Sequence, residues 1–206
     1  GETVDGRQMY HVTIGNAEAE KKIFINAGIH AREYITSHLV MHQVVSFLGH
    51  VKAGDSYQGY TYQQLLEQVQ IHVVPMVNPD GVNLVTGEYR PGSSPYIRAQ
   101  NIARNYPSIP FPSGWKANIE GVDLNLQFPA GWQQARQIKF SQGFTTPAPR
   151  DFVGDGPLVA PEALAVYNFT LSHNFQLILA YHTQGQEIYW QFQNYAPTEA
   201  ITIGRT

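Results

Sequence analysis

Two side chains at the start of a predicted helix, His30 and Glu33, have the types and the spacing of a metal-binding pair. An apolar strand over residues 22–27 precedes them, and Gly28 provides the turn between strand and helix. Because residues three apart at a helix entry can face one point, the imidazole and the carboxylate could share one cation. Zinc accepts both groups in a tetrahedral site, and a catalytic zinc takes a third protein ligand and leaves its fourth position to water. The pattern therefore predicts a zinc site that needs one more ligand.

His182 is the candidate for the third ligand. It follows a continuous apolar run over residues 175–181, which predicts a buried strand. Functional sites in open α/β sheets lie at the carboxyl ends of the strands, and His182 stands at such an end. The other six histidines are interpreted as surface or satisfied core residues, and they are His11, His38, His42, His50, His72 and His173.

The composition is that of one globular domain, and we assign residues 1–206 to it. Apolar residues make up 43% of the chain and charged residues 14%, and the net charge of −3 provides no electrostatic footprint for nucleic acid. The chain has no cysteine, which excludes disulfides and thiolate metal sites. We expect no membrane span, because no apolar run approaches the ~20 residues that one requires. Residues 1–20 lack the pattern of a secretory signal, and the composition fixes neither the compartment nor the oligomeric state.

Strands that alternate with helices predict an α/β sheet with helices on its faces. The predicted strands are residues 9–14, 22–27, 70–76, 175–181 and 187–192, and the predicted helices are residues 34–47, 62–70 and one that begins at Pro161. The Asn-Pro-Asp-Gly sequence at 78–81 predicts a turn. The segments 82–121 and 143–161, rich in proline and glycine, predict irregular chain.

Four ordered motifs carry a resemblance to a known family. They are His30-Ala-Arg-Glu33, Asn78-Pro-Asp-Gly81, Gly121-Val-Asp-Leu-Asn125 and Tyr181-His182, and in this order they resemble the zinc metallocarboxypeptidase superfamily. The resemblance runs over essentially the whole chain. It implies a mixed, mostly parallel twisted sheet with helices on both faces, and a zinc-dependent peptidase that acts through metal-activated water.

Three further passages are similar to one bacterial branch of that superfamily, the γ-D-glutamyl-meso-diaminopimelate peptidases. They are Trp115-Lys-Ala-Asn118, Gln127-Phe-Pro-Ala130 and the stretch from His182 to Trp190. Members of this branch cut peptidoglycan stem peptides. The resemblance therefore implies a cell-wall peptide as the substrate.

The resemblance also implies roles for individual residues. It implies one Zn²⁺ ion held by His30, Glu33 and His182, and it matches Asp123 to a carboxylate that holds the His30 ring by its other nitrogen. Such a partner sets the tautomer and the basicity of a metal-bound histidine. Arg32 matches an arginine that contacts the substrate beside the ligands.

The chain departs from the family pattern at the substrate-binding positions. True carboxypeptidases carry Asn-Arg where this chain has Asn125 and Leu126, and the pair binds the terminal carboxylate of the substrate. Because an apolar side chain cannot form the charge-assisted hydrogen bonds that a carboxylate prefers, we expect cleavage of an unusual amide, the γ-D-glutamyl–diamino acid bond. The family's oxyanion-stabilising arginine has no plain counterpart, and Lys116 is the nearest cation.

The family's general-base glutamate lies well beyond its third zinc ligand. Glu187 and Glu199 are too close to His182 to match it, so we expect the base beyond Thr206 and a sheet that is incomplete at the C-terminus. These residues alone should then be inactive, with an open seam beside the strand that ends at His182.

Three other functions are compatible with the sequence. An ordinary metallocarboxypeptidase could bind the terminal carboxylate with other groups, and a relative without catalytic activity could keep the ligands only to bind zinc or a peptide. Coincident motifs on a plain α/β domain are the third alternative. A strand ending in glutamate beyond Thr206 would favour the enzyme over the binding protein.

Overall fold

The computed structural model describes residues 1–192 and residue 201. Four strands form the main sheet in the order β1-β5-β2-β6, and a short hairpin, β3–β4, stands apart from it. The strands are β1 (Val12–Gly15), β2 (Lys21–Asn26), β3 (Ser56–Tyr57), β4 (Tyr60–Thr61), β5 (Val69–Val74) and β6 (Leu177–Ala180). The helices are α1 (Ile35–Ala53), α2 (Tyr62–Gln68), α3 (Pro79–Thr86), α4 (Ser94–Ala103), α5 (Trp132–Ser141) and α6 (Pro161–Leu171).

The central strand β2 pairs in parallel with β5 on one side and with β6 on the other, whereas β1 pairs antiparallel with β5. Parallel strands need crossover connections, and helices supply them here. The mixed, mostly parallel α/β fold that was expected is confirmed. None of the helices within the described residues is long and apolar enough to cross a membrane.

Helices cover both faces of this sheet. Phe24 of β2 is fully buried against Ala163 and Val166 of α6, whereas Val73 of β5 packs with Val40 and Val44 of α1 on the opposite face. Successive side chains of a strand point to opposite faces, so the apolar runs of β2 and β5 supply both core clusters. Replacing a buried phenylalanine such as Phe24 by alanine typically costs about 3–5 kcal/mol of stability.

Strand β6 lies at an edge of the sheet as far as the described residues extend, with β2 as its partner. Its outer positions are open to solvent, with Ile178 46% exposed and Leu179 37% exposed. Because β6 leads directly to His182, this exposed strand positions one of the three predicted metal ligands.

Three local predictions are wrong. The sequence Asn-Pro-Asp-Gly at 78–81 begins helix α3, since the Asn78 side chain accepts the N–H of Gly81 as an N-cap and Pro79 occupies the first turn. Helix α4 lies inside the segment that was expected to be irregular, and it too has a proline in its first turn. Residues 187–191 form no strand.

Candidate metal centre

The end of β2 turns sharply to bring His30 and Glu33 to the edge of the sheet. Gly28 has a left-handed φ of 63°, and a Cβ atom at this position would lie 2.7 Å from the Ser37 hydroxyl oxygen. The Gly28 N–H donates to the Thr36 hydroxyl, which donates in turn to the Glu33 carbonyl oxygen at 2.8 Å. Only glycine meets both the backbone conformation and the close approach at this turn.

The structure brings His30, Glu33 and His182 together. The His30 Nδ1 atom lies 3.1 Å from Glu33 Oε1 and 3.2 Å from His182 Nδ1, and His182 Nδ1 lies 3.0 Å from Glu33 Oε2. Ligands of a tetrahedral zinc ion at ordinary bond lengths are separated by about 3.3 Å. The three side chains therefore form a triangle, in which Glu33 meets the two histidines through different oxygens, and these separations are close to those of ligands around one zinc ion.

Asp123 fixes which atom of His30 faces this triangle. The fully ionised carboxylate can only accept, so the His30 Nε2–H donates to Asp123 Oδ1 across 3.2 Å. In the neutral ring Nδ1 then carries a lone pair, which points at the Glu33 carboxylate and the His182 ring. Three groups that supply lone pairs to one point need a cation between them, and His and Glu are the donor types that zinc accepts. The residues fit the metal.

The pKa values of His30 and Glu33 also indicate that this cluster favours a positive charge. Burial lowers the pKa of His30, but hydrogen bonds and charges from Asp123 and Glu33 outweigh it and raise the pKa to about 9. Burial likewise raises the pKa of Glu33, but hydrogen bonds from His182 and His30 reverse that effect and leave the pKa far below its ordinary value. The same carboxylates that raise the pKa of His30 would also favour a metal cation at its Nδ1 atom.

Lys116 is buried beside this centre, with its Nζ atom 3.6 Å from Glu33 Oε1. Its pKa is lowered, mainly by burial, while the charge of Glu33 opposes the shift and the charges of Arg150 and Arg32 add to it. The Lys116 carbonyl oxygen accepts the N–H of Ala31, which ties the lysine to the turn that carries His30. Lys116 therefore lies beside the Glu33 carboxylate of this cluster.

The other predicted substrate-binding residues lie around the ligands. Arg32 follows Ala31 in the same 3-10 turn, and its N–H donates to the Trp115 carbonyl oxygen at 3.1 Å. Asn125 is exposed, and its backbone N–H donates to Asp123 Oδ1 at 3.2 Å. Leu126 is partly buried beside it in the 3-10 turn Leu124–Leu126. An apolar side chain thus stands next to Asn125 in this turn.

Asn78 has a structural role at the site that was not predicted from the sequence. This residue is fully buried, and its side-chain amide donates to the carbonyl oxygens of Ala117, at 2.9 Å, and Ile29, at 3.3 Å. It therefore joins the turn before His30 to the segment that carries Lys116. An asparagine before a proline at a helix start is the signal that could have identified it.

A second missed contact is made by the backbone of Thr183. Its N–H donates to Glu33 Oε2 at 3.3 Å, so the residue after His182 also holds the carboxylate. Glu187, which is too close to His182 in sequence to match the family's general base, is exposed and accepts from the Tyr189 hydroxyl. Glu199 lies outside the described residues.

Comparisons with known proteins agree with this geometry. A family model described as "Zinc carboxypeptidase" matches residues 1–201. The gamma-D-glutamyl-L-diamino acid endopeptidase 1 of Lysinibacillus sphaericus is 41% identical over 203 residues, which cover 98% of this chain and 49% of that protein. The uncharacterized protein YqgT of Bacillus subtilis is 35% identical over 203 residues, which cover 98% of this chain and 52% of that protein. The chain therefore spans about half the length of these curated relatives.

Among solved structures, the carboxypeptidase A of Helicoverpa armigera superposes with a TM-score of 0.62 at 18% identity, covering 98% of this chain and 44% of that one. This likeness concerns the fold. The family match extends over nearly all of the chain, and the most conspicuous cluster of metal-binding side chains lies where β2 and β6 end. The chain belongs to the zinc carboxypeptidase family.

Proposed function

We propose that residues 1–206 belong to the catalytic domain of a zinc peptidase that hydrolyses the γ-D-glutamyl–diamino acid bond of peptidoglycan stem peptides. The observation that carries the proposal is the cluster of His30, Glu33 and His182, in which the two Nδ1 atoms lie 3.2 Å apart and each lies 3.0–3.1 Å from one oxygen of Glu33. The substrate class is supported by the 41% identity to a gamma-D-glutamyl-L-diamino acid endopeptidase.

In this proposal each residue has a separate task. His30, Glu33 and His182 hold the zinc ion, and Asp123 keeps the His30 tautomer that presents Nδ1 to it. Bound zinc supplies Lewis-acid polarisation of the scissile carbonyl and lowers the pKa of a water ligand to about 7.

Lys116 stabilises the oxyanion that forms when the carbonyl is attacked. Its burial removes water from around the ammonium group, and a positive charge in such a site interacts more strongly with developing negative charge than it would in water. The nearby Glu33 carboxylate holds the ammonium in place at 3.6 Å.

Leu126, Asn125 and Arg32 then set the substrate preference. Leu126 cannot bind a C-terminal carboxylate, so the site does not favour ordinary C-terminal residues. Asn125 offers an amide and Arg32 a guanidinium to polar groups of the stem peptide. A γ-linked glutamyl residue keeps its α-carboxylate free beside the scissile bond, which provides a partner for such a cation.

Two measurements on the full-length protein test the proposal. Metal analysis should find one zinc per chain, and the variant His182→Ala should lose it, while His42→Ala, which alters an exposed histidine of α1, should retain it. The enzyme should also turn over a γ-D-glutamyl–diaminopimelate stem peptide faster than a blocked dipeptide carboxypeptidase substrate. Faster turnover of the dipeptide would identify an ordinary carboxypeptidase, and bound zinc without turnover of either would identify a binding protein.

A further inference from the structure

Residues 148–152 form a short irregular segment that is hydrogen-bonded to two residues of the candidate site. The carbonyl oxygen of Pro149 accepts the backbone N–H of Lys116 at 2.8 Å. The carbonyl oxygen of Phe152 accepts the backbone N–H of Asp123, also at 2.8 Å. One segment therefore positions both the buried cation and the carboxylate that holds His30.

The same segment also holds the side chain of Asp123. Oδ1 of this buried carboxylate accepts from His30 Nε2 and from the Asn125 backbone, whereas Oδ2 accepts the backbone N–H of Asp151 at 3.0 Å. A carboxylate held at only one oxygen could rotate about its Cβ–Cγ bond. The hydrogen bond from Asp151 to the other oxygen fixes that rotation, and with it the direction of the acceptor that His30 meets.

The Asp151 N–H has this direction because its residue has an uncommon backbone conformation. Asp151 has a φ of 67°, in the left-handed region that asparagine, aspartate and glycine adopt more readily than other residues. Its side chain is buried, with Oδ1 at 2.6 Å from Lys139 Nζ of α5 and Oδ2 bound to Arg150 Nε. Both side-chain oxygens are thus used in ion pairs, while the backbone N–H is directed at Asp123.

We propose that Asp151 is a positioning residue for the zinc centre, and that it acts through the Asp123 carboxylate. Its left-handed backbone directs an N–H to Asp123 Oδ2, and this hydrogen bond orients the group that sets the tautomer and the direction of His30. This inference rests on the proposed zinc site. Asp151 is hydrogen-bonded to Asp123, and Asp123 is in turn hydrogen-bonded to the zinc ligand His30.

The test measures zinc affinity by competition with a chelator. Asp151→Val disfavours the left-handed conformation, and we expect it to weaken zinc binding by about tenfold, at the low end of what partners of metal ligands cost. Asp151→Asn and Asp151→Gly both lose the ion pairs but tolerate the conformation, so they should bind zinc within about threefold of the wild type. Equal losses in all three variants would show that the ion pairs, and not the backbone N–H, matter, and would overturn the proposal.

A double-mutant cycle separates positioning from general loss of structure. If Asp151 acts through Asp123, Asp151→Val should cause no further loss of zinc affinity in an Asp123→Ala background. Additive losses would overturn the proposal. The cobalt(II)-substituted protein gives a second readout, because its absorption spectrum should change in Asp151→Val and stay unchanged in Asp151→Asn. Wild-type protein that binds no zinc would refute the proposed function itself, whereas tight zinc binding that all Asp151 variants keep would refute only this inference.

Discussion

Replacing Asp123 by alanine tests whether this carboxylate orients a zinc ligand without binding the metal itself. The residue is 3% exposed, and it is the described partner of His30 Nε2, at 3.2 Å. Without it the imidazole is free to change its tautomer, and Nδ1 no longer carries a fixed lone pair toward the metal. Loss of such a partner weakens metal affinity by about 10–100-fold, which corresponds to about 1.4–2.7 kcal/mol.

The assay is a competition between the protein and a chelator of known zinc affinity, at one pH and one ionic strength. Asp123→Asn keeps an acceptor for the His30 N–H but loses the charge, so its loss should be smaller than that of Asp123→Ala. Asp155→Ala is the matched control, because Asp155 is exposed. Complete loss of zinc in Asp123→Ala would mean that Asp123 is a ligand, and unchanged affinity would mean that it does not orient His30. Either result would refute the reasoning.

Three further predictions concern the oxyanion, the substrate and the pH dependence of stability. Lys116→Met should lower kcat by about 10²-fold with little change in KM, and Lys116→Arg should restore much of the lost kcat. Steady-state kinetics on a stem peptide would measure both constants. A rise in KM of the same size would show that Lys116 binds the ground state of the substrate instead. Leu126→Arg should increase the ratio of dipeptide to stem-peptide turnover at least tenfold, and an unchanged ratio would remove Leu126 from the specificity argument. Burial, together with the charges of His11, His173 and Lys22, lowers the pKa of His72 from 6.5 to about 4. The unfolded chain therefore binds more protons than the folded protein between these pH values, so the free energy of unfolding should fall by about 1–3 kcal/mol as the pH drops through this window. Denaturant titrations at several pH values would measure this change. The variant His72→Gln should remove the part of it that comes from His72.

The parts of the fold that the sequence predicted well are those in which local pattern and tertiary packing agree. The apolar runs that become β2 and β5 are buried by helices on both faces, so their composition reflects their surroundings, whereas the apolar run that becomes β6 forms a strand that is open to solvent. The meeting of His30 with His182 followed from the rule that sites gather at the carboxyl ends of strands, and from the order of the motifs.

The wrong predictions occur where one residue type serves two structures. Asparagine, proline, aspartate and glycine each favour turns, and the same Asn-Pro pair also starts a helix, which is what Asn78 does. Residues 187–191 carry the aromatic and branched side chains of a strand, but Ile188 and Tyr189 are 89% and 85% exposed. Strand propensity depends on packing against neighbours, and these side chains have little of it.

The role of Asp151 could not be predicted from the sequence. It depends on a left-handed φ and on hydrogen bonds to Asp123, which lies 28 positions away in the chain. No periodicity or composition carries that information, because the contacts of Asp151 with Asp123, Lys139 and Arg150 form only in the folded protein.

The two histidines of the candidate centre are 152 positions apart in sequence, yet they follow adjacent strands of one sheet. A zinc ion between them would act as a cross-link that closes a loop of that length, in addition to any role in hydrolysis. Strand β6 pairs with β2 on one side, and its outer residues are open to water. Zinc binding at His182 would therefore restrain the position of β6 in addition to its pairing with β2. Chelation should therefore loosen β6 before the β1-β5-β2 part of the sheet, and amide hydrogen exchange in residues 177–183 should respond to zinc more strongly than exchange in β5.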